Sequence, residues 1–280
     1  MEKPIYPSLE PFNFLGLEEQ DYQRAKVVVF PVPYSSTCYW KAGTKDGPQA
    51  IIDASRHIEL YDIELKKDPS KEGIFTLPFL EPSKNSPQET IGRVKGVMDR
   101  LLRDKKFPVM LGGEHSITLG AAQSFKEKFS DFSVLQIDAH ADLRDEFEGT
   151  KFHHACVMKR VKDLGLSITQ VGIRSMSEGE GGENIFFASE LPIDEIISTL
   201  KENIYLTIDL DVLDPSIMPS TGTPEPGGLN WHDVLNLVKR IAQKRKIIGA
   251  DVVELDPILG LSAPDFLAAK LVYKIISYII

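Results

Sequence analysis

Short runs of β-branched and other apolar residues alternate along the chain with longer stretches in which apolar positions recur every three to four residues. The runs at 27–30, 109–111, 134–138, 170–173, 204–209 and 247–253 have the length and composition of strands. Ser86, Pro87 and Glu89 supply an N-cap, a first-turn proline and a capping-box acid for a helix whose Ile91, Val94, Met98, Leu101 and Leu102 share one face. Asn230 and Asp233 cap a second helix carrying Trp231, Val234, Leu235, Val238 and Ile241. Ser262 and Asp265 form the same pattern ahead of a third, with Leu267, Leu271, Ile275 and Tyr278. All three stripes are expected in the core. This alternation predicts the α/β class, a parallel sheet with helices on both faces. No repeat, low-complexity tract or linker interrupts it, so residues 1–280 are expected to form one domain.

Composition narrows the function more than the fold. With 280 residues, 42% of them hydrophobic and 26% charged, the chain can bury a large core. Its net charge of -9 argues against nucleic acid, since phosphate binding needs clustered cations and the longest basic run is Lys244-Arg245-Lys246. The two cysteines, Cys38 and Cys156, read as packed thiols of a reducing, cytoplasmic compartment. The start of the chain, with Pro4, Pro7, Glu10 and Pro11, lacks the apolar segment of a secretory signal. The apolar tail 271–280 is broken by Lys274 and too short to span a bilayer, so it reads as the buried face of a last helix and no membrane partner is expected.

In open sheets of this class, ligands bind just past the carboxyl ends of the strands, and three such ends carry unusual residues. The first is Asp138-Ala139-His140-Ala141-Asp142; extended residues two apart share a face, so three side chains can converge on one point. The second, Asp209-Leu210-Asp211, repeats the alternate spacing and closes at Asp214-Pro215. In the third, Gly112-Gly113-Glu114-His115-Ser116, paired glycines allow a tight turn that brings His115 to the same edge. Singly, each has a plainer explanation, because strand-end acids often cap helices or shape turns. Jointly they put four carboxylates in one cleft, and protonating so many at neutral pH is costly. Two divalent cations would balance Asp138, Asp142, Asp209 and Asp211, with His115 and His140 giving one imidazole to each. A mixed carboxylate and imidazole shell favours manganese, iron or cobalt over zinc, nickel or magnesium; two Mn²⁺ are the expected cofactor.

These three segments, with the second running from Thr207-Ile208 through Val212-Leu213-Asp214-Pro215 and continuing with Pro219 and Thr221-Gly222-Thr223-Pro224, resemble the three signatures of the ureohydrolases, the arginase and agmatinase family, closest to agmatinase. The resemblance runs from about Pro31 to the C terminus. It implies a three-layer α/β/α fold with an eight-stranded, mainly parallel sheet, a binuclear manganese site and a trimeric or hexameric homo-oligomer. It further implies that Asp138 and Asp209 bridge the ions, that His115 and Asp142 complete one shell, and that His140 and Asp211 complete the other.

The activity so implied is hydrolysis of a guanidino group to an amine and urea. A guanidinium carbon is a poor electrophile, so hydroxide is required, and two cations sharing a water lower its pKa from about 15.7 toward about 7. The amine departs only when protonated, which calls for a shuttle titrating near neutrality. His154, in Phe152-His153-His154-Ala155-Cys156, resembles the family's catalytic-loop histidine; His153 departs from the family pattern and leaves two candidate imidazoles. Glu254 matches the glutamate that pairs with the guanidinium. Asp251 reads as structural, and His57 and His232 as packing or solvent residues. The loop Leu143-Arg144-Asp145-Glu146-Phe147-Glu148-Gly149 is similar to that of agmatinases, and Asp145 or Glu148 would suit a cationic tail. The expected partner is therefore a small cationic guanidino compound: agmatine first, giving putrescine for polyamine synthesis, then N1-aminopropylagmatine, then arginine. Guanidinobutyrate and formimidoylglutamate fit less well. Two other classes compete, a two-metal phosphoesterase, for which no basic cluster stands beside the signatures, and a non-catalytic metal-binding subunit, in which His154 and Glu254 would be idle.

Overall fold

The structure, a computed structural model, describes residues 9–280. Pro4 and Pro7, on which part of the amino-terminal reading falls, lie outside them. In chain order the elements are β1 (Val27–Val32), α1 (Gly47–Ser55), β2 (Ile74–Thr76), α2 (Pro87–Arg103), β3 (Phe107–Gly112), α3 (Thr118–Lys128), β4 (Ser133–Ile137), α4 (Val157–Asp163), β5 (Ser167–Ile173), β6 (Ile185–Phe187), α5 (Ile193–Thr199), β7 (Asn203–Asp209), α6 (Trp231–Lys244), β8 (Lys246–Val253) and α7 (Ala263–Ile279). The strands form one eight-stranded sheet in the order β2-β1-β3-β8-β7-β4-β5-β6. Among the described residues every strand pairing in this sheet is parallel, where the family resemblance implies a mainly parallel one.

Alternation along each strand divides the core in two. Val27 and Val29 of β1 face the layer containing α1, α5, α6 and α7, whereas Val28 and Phe30 face the layer of α2, α3 and α4. Both faces are therefore covered, which is why the strands read as continuous apolar runs with little polar interruption. The six expected strands are all present. The two that the pattern does not announce, β2 and β6, are three-residue strands at the two edges, too short to show a period.

The helix caps test the local reading. Ser86 accepts the Glu89 amide at 3.2 Å, and Asn230 with Asp233 forms a reciprocal capping box. Ser262 does not cap α7: its backbone is already helical (φ -85°, ψ -10°), which turns the hydroxyl away from the Asp265 amide. Nor is α7 one-sided, since every residue from Leu271 to Ser277 is buried. That includes Lys274, whose ammonium meets Asp62 at 2.8 Å and Glu64 at 2.5 Å. No helix among the described residues is long and apolar enough to cross a membrane.

For function, the consequence of this topology is that β3, β8, β7 and β4 lie side by side although they are far apart in sequence. Their carboxyl ends bring the Gly112, Glu254, Asp209 and Asp138 segments to one edge, the position where open α/β sheets bind ligands.

Candidate metal centre

Two groups of side chains at this edge could each hold a metal ion: His115, Asp138 and Asp142, and Asp138, His140 and Asp211. His115 Nδ1 lies 3.1 Å from Asp138 Oδ2, 3.3 Å from Asp142 Oδ2 and 3.4 Å from Asp209 Oδ2. His140 Nδ1 lies 2.8 Å from Asp211 Oδ2 and 3.7 Å from Asp138 Oδ1. The two oxygens of Asp138 thus face different groups. Asp209 Oδ2 approaches the first group, and its Oδ1 accepts the amide of Asp211 in the second at 2.8 Å.

Local backbone explains how the residues arrive. Asp138 directly follows β4 and Asp209 ends β7, and each accepts the amide two residues on, which turns the chain at His140 and Asp211. Gly113 adopts no left-handed conformation; what it provides is proximity. A Cβ there would sit 1.9 Å from the Tyr34 carbonyl oxygen, so only glycine lets the loops after β1 and β3 touch. Asp142 (φ 53°) and Glu254 (φ 67°) hold left-handed conformations that cost non-glycine residues about 1–3 kcal/mol. The surrounding packing maintains this strain at two residues facing the cleft.

A ring of polar residues orients the donors. His115 Nε2 meets Thr207 Oγ1 at 2.8 Å, and Thr207 donates to Asp251, which also accepts from Tyr205 at 2.7 Å and Thr118 at 3.0 Å. Asp251 is thus a structural anchor, as read from the sequence. Gln136 donates to Asp138 Oδ2 at 2.6 Å, and Arg174 ties the Asp211 carbonyl (2.6 Å) to that of Glu225 (2.8 Å). Glu225 Oε1 lies 3.8 Å from His140 Nε2. The signatures include none of Gln136, Arg174 and Glu225, and Thr207 opens one of them with no role assigned to it. The available signal was a polar residue inside an apolar strand, at Gln136 and Thr207.

The electrostatics fit cations. Burial, then the neighbouring Asp211 and Asp142 carboxylates, push Asp138 up to about 7, and burial with Asp211 and Asp138 pushes Asp209 well above the usual carboxylate range. Burial opposes charge on His140, but Asp211 and Asp138 overcome it and raise the imidazole to about 11. His115 Nδ1 is the sharper test. It is buried, has no hydrogen-bond partner, and points at three carboxylate oxygens. A divalent ion among those atoms would satisfy the nitrogen and the oxygens together.

A cavity of about 390 Å³ opens over this edge, lined by His140, Asp142, Asp209, Asp211, His154 and Glu254, with Tyr39, Trp40, Lys41, Arg144 and Phe147 farther along its wall. His154 lines it and His153 does not. His153 is buried, its Nδ1 accepts the Ala155 amide at 3.1 Å as a helix cap, and its ring meets Phe147 edge-on at 4.8 Å. Burial, then the adjacent His154, lowers it to about 4; burial lowers His154 as well, so placement rather than titration separates the two imidazoles. Glu254 Oε1 accepts the His115 amide at 2.6 Å. Burial and the Glu114 carboxylate push Glu254 well upward, the condition a guanidinium would relieve.

The expectation for the loop acids is corrected. Asp145 is 61% exposed and engaged by Arg160 and Lys151, and Glu148 turns back to within 3.6 Å of His153; neither lines the cavity. From that loop, Arg144 and Phe147 do. His57 and His232 are exposed, away from the site.

The model of the arginase family matches residues 25–277. A protein from Synechocystis sp. named N(1)-aminopropylagmatine ureohydrolase is 40% identical over 297 residues, covering 99% of this chain and 97% of its own. An agmatinase from Pyrococcus horikoshii is 31% identical over 281 residues, covering 94% and 95%. Among solved structures, the agmatine ureohydrolase of Thermoplasma volcanium aligns with a TM-score of 0.87 at 33% identity, covering 98% of this chain and 95% of that one.

Proposed function

Since the chain belongs to the arginase family and is a ureohydrolase, a hydrolase of guanidino C–N bonds, we propose that it is a binuclear manganese enzyme releasing urea from an alkylguanidine with a cationic tail, N1-aminopropylagmatine before agmatine. The observation carrying the metal reading is the unpartnered His115 Nδ1 among three carboxylate oxygens. His115, Asp138, Asp142 and Asp209 would hold one ion, and Asp138, His140 and Asp211 the other. Bound there, divalent cations supply hydroxide at neutral pH, which water alone does not.

The chain's own residues do the rest. Glu254 keeps one oxygen on the His115 amide and offers the other to the guanidinium, neutralising it and aiming its carbon. His154 hands a proton to the departing nitrogen, so that the products are a protonated amine and urea. His153 holds the loop in place as its cap.

For the tail, the aromatic wall of Tyr39, Trp40 and Phe147 supplies apolar and π surface along which a long alkylammonium chain can run. Each methylene so buried contributes about 0.8 kcal/mol, which favours the longer aminopropylagmatine, the compound in the Synechocystis relative's name. Agmatine is the second reading, favoured by the Thermoplasma structure. Lys41 and Arg144 also line the cavity and would favour an acidic tail, so the choice is testable.

Manganese-loaded protein is incubated separately with aminopropylagmatine, agmatine, arginine and guanidinobutyrate, and urea is measured. The highest kcat/KM is expected with aminopropylagmatine, then agmatine. Best turnover of guanidinobutyrate or arginine would overturn the tail assignment, and no urea from any of them would overturn the activity. His154→Ala should lower kcat by roughly 10²–10⁴-fold with metal content intact.

A further inference from the structure

The loop after β1 carries none of the three signatures, yet one of its side chains meets His154 twice. Thr37 is buried, and its Oγ1 accepts the backbone amide of His154 at 3.0 Å while lying 3.3 Å from His154 Nδ1. The same oxygen donates to Glu114 Oε1 at 2.8 Å. Glu114, fully buried, also takes the amides of Ser36 (2.5 Å) and Thr37 (2.7 Å) and the hydroxyl of Ser116 (2.5 Å). The close approach permitted at Gly113 seats this carboxylate beneath the loop.

Counting protons along this chain of contacts fixes their direction. Glu114 Oε2 accepts two amide N–H groups, and the single Thr37 hydroxyl proton is committed to Oε1. Both Thr37 lone pairs are then free to accept. One takes the His154 amide, and the other can take only a proton carried on His154 Nδ1. The neutral imidazole is thereby held with its proton on Nδ1 and its lone pair on Nε2, the nitrogen not tied to Thr37. After Nε2 gains a proton, Nδ1–H still points at an oxygen polarised by a carboxylate.

We propose that Thr37, backed by Glu114, is a positioning residue that fixes the ring and tautomer of His154 for proton transfer at Nε2. The inference rests on the reading of His154 as the shuttle. It follows the general logic in which a third group orients a catalytic base. Thr37 touches neither the metal-binding groups nor, by this account, the substrate.

The test uses Thr37→Val, which keeps the shape and removes the hydroxyl, and Thr37→Ser, which keeps the hydroxyl. Glu114 is left intact because it adjoins His115. Thr37→Val should lower kcat roughly tenfold to hundredfold, part of what general acid–base catalysis supplies, with KM and bound metal unchanged. Thr37→Ser should recover most of the turnover. In a His154→Ala background, Thr37→Val should add no loss. An equal loss in both backgrounds, or no loss in wild type, overturns the proposal.

A second readout is independent of turnover. Imidazole ¹⁵N shifts of zinc-loaded protein should place the neutral His154 proton on Nδ1, and Thr37→Val should move it toward Nε2. A proton on Nε2 in the wild type, or a tautomer unmoved by Thr37→Val, overturns the assignment. If His154→Ala keeps full turnover, or no guanidino compound yields urea, the functional reading fails while this measurement still decides the Thr37 contact.

Discussion

Two acidic clusters in this molecule are treated in opposite ways, one partly exposed and one buried. Beside α7, Asp62 and Glu64 are neutralised from within: Lys274 bridges them at 2.8 and 2.5 Å, and Lys239 and Tyr278 reach Glu64 at 2.7 and 2.8 Å. Burial would raise Glu64, yet these donors outweigh it and hold its carboxyl at about 2. At the sheet edge, among the described residues, no lysine or arginine forms an ion pair with Asp138, Asp142, Asp209 or Asp211; only two imidazoles face them. There, burial and mutual repulsion drive Asp138 to about 7. A fold that pairs one set of acids with its own lysines and leaves a buried set without any lysine or arginine partner supports the proposal that the second holds cations from solution.

The contrast can be broken from either side. The largest effect is expected at Asp138, the one acid facing both donor groups: Asp138→Ala should abolish binding of both ions and reduce urea release to background, whereas retention of two ions would show that Asp138 is not shared. Next is the internally paired cluster. Lys274→Met leaves Asp62 buried without its partner and should cost about 3–5 kcal/mol in denaturant unfolding, with metal content unchanged. Replacing Asp62 as well, as Asp62→Leu with Lys274→Met, should recover part of that loss. Chelation comes third. Ions that bind only the folded chain stabilise it by about 2.7 kcal/mol at a hundredfold excess over Kd, so EDTA should lower Tm in wild type and leave Asp138→Ala unmoved.

The smallest effect is on pH. Because Glu64 is depressed from 4.5 in the unfolded chain to about 2, its pairing contributes stability fully present above about pH 4.5 and lost as pH falls toward 2. Glu64→Gln should flatten that part of the acid limb of an unfolding titration. An unchanged acid limb would mean that the Glu64 pairings add nothing.

Much of this was legible from the chain because two periodicities carry it. Runs of Val, Ile and Leu buried on both faces mark the interior strands, and alternate spacing marks Asp138, His140 and Asp142 as candidate ligands. They do not converge on one point, however: with Asp142 in a left-handed conformation, it joins His115 while His140 joins Asp211. What was not legible depends on direction and on distant partners. Asp145 was expected at the substrate because of where it falls in the loop, but Arg160 of α4 draws it outward. Thr37 was silent because its meaning comes from Glu114, 77 residues away. Ser262 has the sequence of a cap and the wrong backbone angle for one. His153 and His154 are adjacent in sequence, yet the cap formed by His153 sends only His154 to the cavity.

The most direct measurement is a count of metal ions per chain, by elemental analysis of protein loaded with manganese and dialysed free of excess. Two ions for each 280-residue chain are expected from the unpaired acids at the sheet edge. One ion, or none, with the protein folded would contradict the account, because the four aspartates would then have to be balanced in some other way.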